Sequence, residues 1–290
     1  MEHNGYSGFE YQPSARVLWL PNHLHALWAA VSRPVRTPAR NDQDVRIAFR
    51  AFPSDPATPG STPVLTRLYG ERSFGSEKLL AYELGYRLRP TRALLLDAAE
   101  FYNDYSELRA TLVRFGPQTG GEIPHIELIY PDANLMDGTT YGGELAVEWQ
   151  ADDGRKRLRG AYAMLQTDFD IPPMSDPESA NAESVAPEHQ LSAWASIDLP
   201  RNVALDVIGR YVGDIRDHGT SNDSVEAYLP DRNIDAYAEL DVRLAWQLEQ
   251  GLEVYVSGRN LLADRHPEFA GFFLDTLPTE TRRRVHVGGS

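Results

Sequence analysis

Apolar and polar residues alternate along several segments of this chain. In segment 144–150, Leu145, Val147 and Trp149 take alternate positions, and the positions between them are mostly charged or polar. Segment 237–248 carries an apolar residue at every second position: Ala238, Leu240, Val242, Leu244, Trp246 and Leu248. Successive residues of a β-strand point to opposite faces, whereas a helix would scatter these residues around its axis. The pattern therefore predicts strands with one apolar face.

The connections between the predicted strands alternate between short and long. Short connections with turn-forming residues lie near 21–22, 90–91, 151–154, 200–201 and 249–251. Long stretches rich in Pro, Gly, Asp and Ser lie at about 33–77, 114–123, 170–187, 214–234 and 263–280. Between the connections we predict eleven strands, with the approximate spans 14–20, 23–32, 78–89, 92–113, 124–150, 155–169, 188–199, 202–213, 235–248, 251–262 and 281–287.

This sorting of the loops predicts an all-β fold of the membrane-spanning kind. Transmembrane β-barrels join antiparallel strands by short turns at one end and by longer loops at the other, and about 9–11 tilted residues cross the bilayer. The first predicted strand, at 14–20, is shorter than that requirement. Alternation also occurs in soluble β-sandwiches and propellers, so a soluble all-β module that binds carbohydrate or protein is the alternative. An apolar face left uncovered by a second sheet would distinguish the barrel.

Composition narrows the choice of function. The formal net charge of −14 argues against a nucleic-acid partner, because few cations are available to neutralise phosphates. The chain has no cysteine, which excludes disulfides, thiolate metal sites and a cysteine nucleophile. No stretch approaches the roughly 20 consecutive apolar residues of a membrane-spanning helix. No catalytic motif such as HExxH or GxSxG is present, so we expect neither an enzyme nor a cofactor.

Five segments, in order along the chain, resemble signature segments of the TonB-dependent receptors. They are SRPVRTPAR at 32–40, EKLLAYELGYRLRP at 77–90, AEFYNDYSELR at 99–109, TYGGELAVEW at 140–149 and NLLADRHPEF at 260–269. The resemblance assigns structural roles to matching positions, which are Ser32, Arg33, Arg36, Pro38, Glu83, Gly85, Tyr102, Asn103, Tyr141, Gly142, Glu144, Asn260, Leu261, His266 and Pro267.

Membership of that family implies a 22-stranded barrel, closed by an N-terminal plug, in the outer membrane of a Gram-negative bacterium. Eleven strands are half of that number, so we expect residues 1–290 to be the C-terminal part of the barrel, forming an open, curved sheet without the plug and the N-terminal strands. No signal peptide or terminal aromatic strand is recognisable, and the last strand looks clipped at Ser290. The implied partners are outer-membrane lipid, TonB and a large nutrient, either a siderophore or another iron chelate, or cobalamin.

Several polar residues are candidates for binding. Arg33, Arg36 and Arg40 could attract an anionic chelate, because guanidinium groups recognise carboxylates, and Tyr228 could stack on a ligand. The alternative is that the arginines pair with acidic residues of the barrel interior, such as Glu144, Glu148, Glu239 and Asp241. His23 and His25 would share a strand face and could bind a metal with a third ligand, or else sit at the bilayer interface. For His266 we expect a structural role that fixes the last long loop.

Overall fold

The computed structural model describes residues 2–53, 60–116, 124–176, 179, 182–184, 186–216, 233–248, 251–268 and 280–289. Within these ranges no helix is both long enough and apolar enough to cross a membrane. The helical elements are α1 (Arg40–Asp44) and a 3-10 turn (Ala182–Ser184). The strands are β1 (Glu2–Asn4), β2 (Gly8–Glu10), β3 (Ser14–Asn22), β4 (His25–Ser32), β5 (Val35–Arg36), β6 (Arg46–Phe52), β7 (Val64–Tyr69), β8 (Glu77–Leu88), β9 (Leu94–Thr111), β10 (Arg114–Phe115), β11 (Ile126–Gln150), β12 (Lys156–Asp170), β13 (His189–Leu199), β14 (Val203–Val212), β15 (Tyr237–Gln247), β16 (Glu253–Arg259), β17 (Arg265–Pro267), β18 (Glu280–Arg282) and β19 (Arg284–Gly289).

Eleven antiparallel strands form the main sheet, in the order β3, β4, β8, β9, β11, β12, β13, β14, β15, β16 and β19. Each strand pairs with the next strand of this series along the chain. Strands β3 and β19 lie at the two edges, and within the described ranges they do not pair with each other. The all-β, open sheet is therefore confirmed, and each of the eleven predicted spans agrees with the structure to within three residues at either end.

Three local predictions were wrong. The first strand is not short, because β3 continues through Pro21 to Asn22, and the turn falls on the next two residues. The stretch 33–77 is not a plain loop, because it contains β5, α1, β6 and β7, and β7 pairs in parallel with the start of β11. The last long stretch also contains the β17–β18 hairpin. These additions all lie at the long-loop end of the main sheet.

One face of the main sheet is a continuous apolar band. Directly paired residues share a face, and the register places Ala98, Leu145, Tyr162, Leu191 and Tyr211 side by side across five strands. Leu145 is 58% exposed, and among the described residues no second layer covers the band. A soluble sheet that exposed so much apolar surface would lose the free energy of its burial. This face is therefore suited to a lipid environment, and the second layer that the soluble alternative requires is missing from the described part of the chain.

Aromatic side chains border this band at both ends. Tyr82, Tyr102 and Tyr141 lie in one row towards the long-loop end, and each is about half exposed. Trp149 and Trp246 lie near the short turns on the same face. Eight residues separate Tyr141 from Trp149, which corresponds to about 26 Å along the strand at roughly 3.3 Å per residue. Two aromatic girdles that flank an apolar band are the lipid-facing pattern of outer-membrane barrels.

The opposite face of the sheet is polar. It carries ion pairs between neighbouring strands, such as Arg159 with Glu148, at 3.3 Å, and Arg243 with Asp206, at 3.7 Å. Few apolar side chains are buried, and most of those in the described ranges lie at the long-loop end, including Phe74, Leu112, Met136, Val212 and Ile234. The compact part of the molecule therefore sits above the band, at the end where the long loops meet.

Two glycines of the resembling segments allow close approach on the polar face. A Cβ atom on Gly85 would lie 2.1 Å from the indole of Trp28, so the tryptophan ring packs directly on the backbone there. A Cβ atom on Gly142 would lie 2.1 Å from the carbonyl oxygen of Met164 on the neighbouring strand. Any larger residue at either position would displace its neighbour.

Candidate functional site

The segment 32–40 begins a cluster of charged residues at the long-loop end. Strand β5 pairs with the start of β8, so that Arg36 lies directly opposite Glu77, and the guanidinium of Arg36 donates a hydrogen bond to the Glu77 carboxylate. Its Nη2 also lies 3.7 Å from Oδ2 of Asp42. Burial alone would lower the pKa of Arg36, but Glu77 and Asp42 outweigh it and hold the pKa above its ordinary value.

Asp42 is the most buried carboxylate of this cluster, and it holds α1 in place. Its Oδ2 accepts a hydrogen bond of 2.8 Å from the backbone amide of Ala39, at the start of the helix. Its Oδ1 lies 3.8 Å from Nη1 of Arg109, and the backbone amide of Arg109 donates a hydrogen bond of 2.7 Å to Glu77. Two arginines and two buried carboxylates thus join β5, α1, β8 and β9.

Two further buried carboxylates lie next to this group. Oδ1 of Asp132 accepts a hydrogen bond of 2.7 Å from the Thr111 hydroxyl, and the backbone amide of Asp176 donates one of 2.7 Å to the carbonyl of Thr111. Burial raises the pKa of both aspartates. Arg109 acts in the opposite direction on each, whereas Asp42 and Asp176 further raise the pKa of Asp132. The cluster therefore carries more buried carboxyl groups than guanidinium groups.

The sheet extension formed by β6, β7, β10 and the first half of β11 carries an arginine-rich face. The register places Arg67 and Arg114 on either side of Ile129, on one face. On the same face, the guanidinium of Arg46 lies 4.9 Å from the ring centre of Tyr69. The sequence analysis missed this surface, because β6 and β7 lie within a stretch rich in Pro and Gly. The mixture of apolar and basic residues in RIAFRAF at 46–52 was the available signal for a strand there.

A second charged cluster anchors the last long loop. Nη2 of Arg210 lies 2.5 Å from Glu239 on the neighbouring strand and 2.6 Å from Glu268, which follows β17. His266 is 7% exposed, stacks on Tyr237 with ring centres 4.2 Å apart, and directs Nε2 towards both glutamates. Burial acts to raise the pKa of Glu268, but the hydrogen bond from His266 and the charge of Arg210 hold that pKa below its ordinary value.

The other predicted binding residues are placed separately. Arg33 donates a hydrogen bond of 2.7 Å to the carbonyl of Tyr11, whereas Arg40 is exposed at the start of α1. The acidic partners suggested from the sequence are engaged elsewhere: Glu148 with Arg159, Glu239 with Arg210, and Asp241 with the backbone amide of Asn260, while Glu144 is exposed on β11. Tyr228 lies outside the described residues.

His23 and His25 were predicted to share one strand face, either as metal ligands or at the bilayer interface, and the structure does not place them on one face. His23 lies in the turn, whereas His25 begins β4 and its Nδ1 lies 2.7 Å from the hydroxyl of Tyr86. The strand assignment was wrong there because the turn falls two residues later than expected.

The remaining positions of the resembling segments lie within the framework. Ser32 ends β4, Pro38 is buried, and Glu83 lies 3.9 Å from Arg16. Asn103 donates a hydrogen bond of 3.1 Å to Thr140. Asn260 is 1% exposed with a left-handed backbone at φ 50°, followed by Leu261, whose amide donates to Leu240, and later by Pro267 in β17.

Solved structures share this fold. The chain superimposes on the ferric enterobactin receptor PfeA of Pseudomonas aeruginosa with a TM-score of 0.69 at 15% identity, over 99% of this chain and 40% of that one. The siderophore receptor PirA of Acinetobacter baumannii gives a TM-score of 0.66 at 14% identity, over 90% and 38% of the two chains. The FrpB iron transporter of Neisseria meningitidis gives 0.63 at 14% identity, over 96% and 38%. No curated protein sequence matches.

The apolar band, its aromatic girdles and the sorted loops define an outer-membrane β-barrel protein. The family model described as TonB dependent receptor-like, beta-barrel matches residues 2–261, and the chain belongs to that family. Its location is the outer membrane of a Gram-negative bacterium, and family members are transporters, not enzymes. The chain spans roughly two fifths of the length of the three structures compared above.

Proposed function

We propose that this chain is the C-terminal part of a 22-stranded outer-membrane receptor that imports a ferric chelate. The observation that carries the proposal is the uncovered apolar band between two aromatic girdles, on a sheet whose long connections all lie at one end. The remaining strands and the plug would come from sequence outside these residues. TonB would supply the energy for transport through the plug.

The two edges of the sheet support the proposal that further strands complete the barrel. Strand β3 is exposed along its whole length, and β19 is exposed over most of its residues. Each backbone N–H or C=O group left unpaired in lipid costs several kcal/mol. Eleven further strands would pair with both edges and satisfy these groups.

A ferric chelate is the nutrient that the long-loop end favours. Ferric siderophores are commonly anionic, and the exposed Arg40 and Arg114 offer guanidinium groups to an anionic ligand. Arg46 and Arg67 lie on the same face as Arg114, although Arg67 is paired with Glu127 at 3.0 Å and Arg46 binds the carbonyl of Val45. The similar structures named above are a ferric enterobactin receptor, a siderophore receptor and an iron transporter. Cobalamin is the competing nutrient of this transporter class.

Radiolabelled uptake by cells that express the complete receptor tests the proposal. The host would lack its own siderophore and cobalamin receptors, and matched cells would lack TonB. We expect uptake of a ferric siderophore in the cells with TonB and none in the cells without it. Uptake of cobalamin alone would replace the proposed nutrient, whereas uptake that does not depend on TonB would contradict the proposed mechanism.

A further inference from the structure

Three side chains with metal-binding atoms converge at the root of the last long loop. They are Glu239 from β15, His266 from β17 and Glu268 just beyond it, and one ligand atom from each lies within 4.8 Å of the other two. Nε2 of His266 is 3.4 Å from Oε1 of Glu239 and 3.3 Å from Oε1 of Glu268. One residue of strand β15 and two residues at the start of the last long loop thus form a compact set of one imidazole nitrogen and two carboxylate oxygens.

These separations fit a small divalent ion. Zinc binds histidine nitrogen and carboxylate oxygen at about 2.0–2.2 Å, so two ligands of a tetrahedral site lie about 3.3–3.6 Å apart. The measured distances from His266 to the two carboxylates fall at this spacing. Imidazole nitrogen and carboxylate oxygen are both zinc ligands, and open zinc sites hold the ion with three protein ligands and leave the fourth position to water.

Arg210 bridges the two carboxylates, because its Nη2 lies 2.5 Å from Oε2 of Glu239 and 2.6 Å from Oε1 of Glu268. Oε1 of Glu239 remains directed at His266, and a bound ion would share Oε1 of Glu268 with Arg210. Arg210 would thereby orient Glu239, as outer partners of metal ligands do. The two carboxylates outnumber the single guanidinium of Arg210, and this favours a cation over an anion.

A buried amide, that of Asn260, lies next to Nδ1 of His266, the imidazole nitrogen that does not face the two glutamates. Asn260 is 1% exposed, and its Nδ2 lies 3.2 Å from Nδ1 of His266 and 3.2 Å from the carbonyl oxygen of Thr281. Its Oδ1 is buried without a hydrogen-bond partner. Rotation of the amide by a half turn exchanges Oδ1 and Nδ2. Oδ1 would then accept the Nδ1 proton that a metal ion on Nε2 requires, at the expense of the contact with Thr281.

We propose that Glu239, His266 and Glu268 bind a divalent transition-metal ion of the zinc type, with Asn260 as the partner that orients His266. The ion would tie the root of the last long loop to the wall strand β15. This site is distinct from the proposed nutrient-binding surface, and its metal would be a resident ion and not the transported iron.

Zinc titration of the complete receptor tests the site. The receptor would be purified in detergent, stripped of metal with a chelator, and titrated with Zn²⁺ alone against a chromophoric zinc indicator. The variants are His266→Ala and Glu268→Gln, and the matched control is His23→Ala, which removes an exposed histidine from a short turn. Removal of the buried imidazole of His266 could disturb the fold. The side chain of Glu268 is 36% exposed, so we expect Glu268→Gln to fold and to keep the test valid in that case.

We expect the receptor to bind one more equivalent of zinc than either site variant, and His23→Ala to bind as the unaltered receptor does. Asn260→Ala should weaken zinc binding by about 10- to 100-fold, the usual effect of removing an outer partner. Absence of zinc binding by the unaltered receptor would overturn the proposal, and so would full binding by Glu268→Gln. Neither result depends on which nutrient the receptor imports.

Discussion

Arginine substitutions on the two faces of one strand pair test the assignment of the lipid-facing surface. Ala98 lies on the apolar band, four residues from the row of Trp149 and four from the row of Tyr141. Ala146 lies at a similar height on the polar face, opposite Asp97. Both residues are alanines, so the two substitutions to arginine differ only in the side of the sheet on which the charge is placed.

The expected magnitudes differ widely. An arginine on the lipid face at the bilayer midplane costs about 2–4 kcal/mol, which lowers the folding equilibrium constant about 30- to 900-fold. An arginine at position 146 faces water in the barrel interior and lies next to the Asp97 carboxylate, so it should change stability by less than about 0.5 kcal/mol. The expected difference in stability between the two variants therefore depends only on which face of the sheet carries the arginine.

Equilibrium unfolding of the complete receptor in lipid vesicles, followed by tryptophan fluorescence in urea, measures both variants. We expect Ala98→Arg to unfold at a clearly lower urea concentration than the unaltered receptor, and Ala146→Arg to unfold together with it. Equal effects of the two substitutions, or a larger effect of Ala146→Arg, would refute the assignment of the outward face.

Three further variants test the packing and the charged cluster by the same unfolding measurement. Gly85→Ala should destabilise the receptor by about 1–3 kcal/mol, because the added Cβ would overlap the indole ring of Trp28. The control Gly209→Ala should have no such effect, because a Cβ there would have no neighbour within 4 Å. Equal effects of the two substitutions would contradict the packing of Trp28 on Gly85. Arg36→Ala should cost about 1–3 kcal/mol, because it removes the guanidinium that binds the buried Glu77 carboxylate, which keeps the hydrogen bond from the Arg109 amide. Glu77→Gln in the same chain should recover part of that loss, and no recovery would argue against the pairing. The pKa of Asp132 is raised in the folded state, so its contribution to stability is complete below the ordinary carboxyl range and is lost as the pH rises through the raised pKa. Asp132→Asn should therefore be the more stable form at neutral pH, with a smaller gain towards acid; an unchanged pH dependence would refute this.

The strands of the membrane-facing sheet were predictable because every second residue faces lipid and is apolar. Lipid on one side and water on the other impose alternation on strands such as β11 and β15, and short turns punctuate them. The extension formed by β6 and β7 was not predictable in this way. Its pairing with β11 joins segments about sixty residues apart in the chain, and the surrounding Pro and Gly residues indicated a loop.

The charged clusters were predictable only in part. The segment 32–40 directed attention to Arg36, but its contact with Glu77 and the neighbouring Asp132 and Asp176 come together only after separate segments of the chain have folded. Ordinary acidic residues in an acidic chain carry no local signal of such convergence. His266 stood out from its motif, whereas its contacts with Glu239 and Asn260 follow from the fold of the last loop.

Single-cysteine labelling tests the orientation of the barrel most directly, since the chain has no cysteine of its own. Arg40→Cys places a thiol at the long-loop end, and Asp153→Cys places one in a short turn. With a maleimide that does not cross the outer membrane, we predict labelling of Arg40→Cys in intact cells and labelling of Asp153→Cys only after the membrane is opened. Labelling of Asp153→Cys in intact cells, or protection of Arg40→Cys there, would contradict an outer-membrane barrel with its long loops outside.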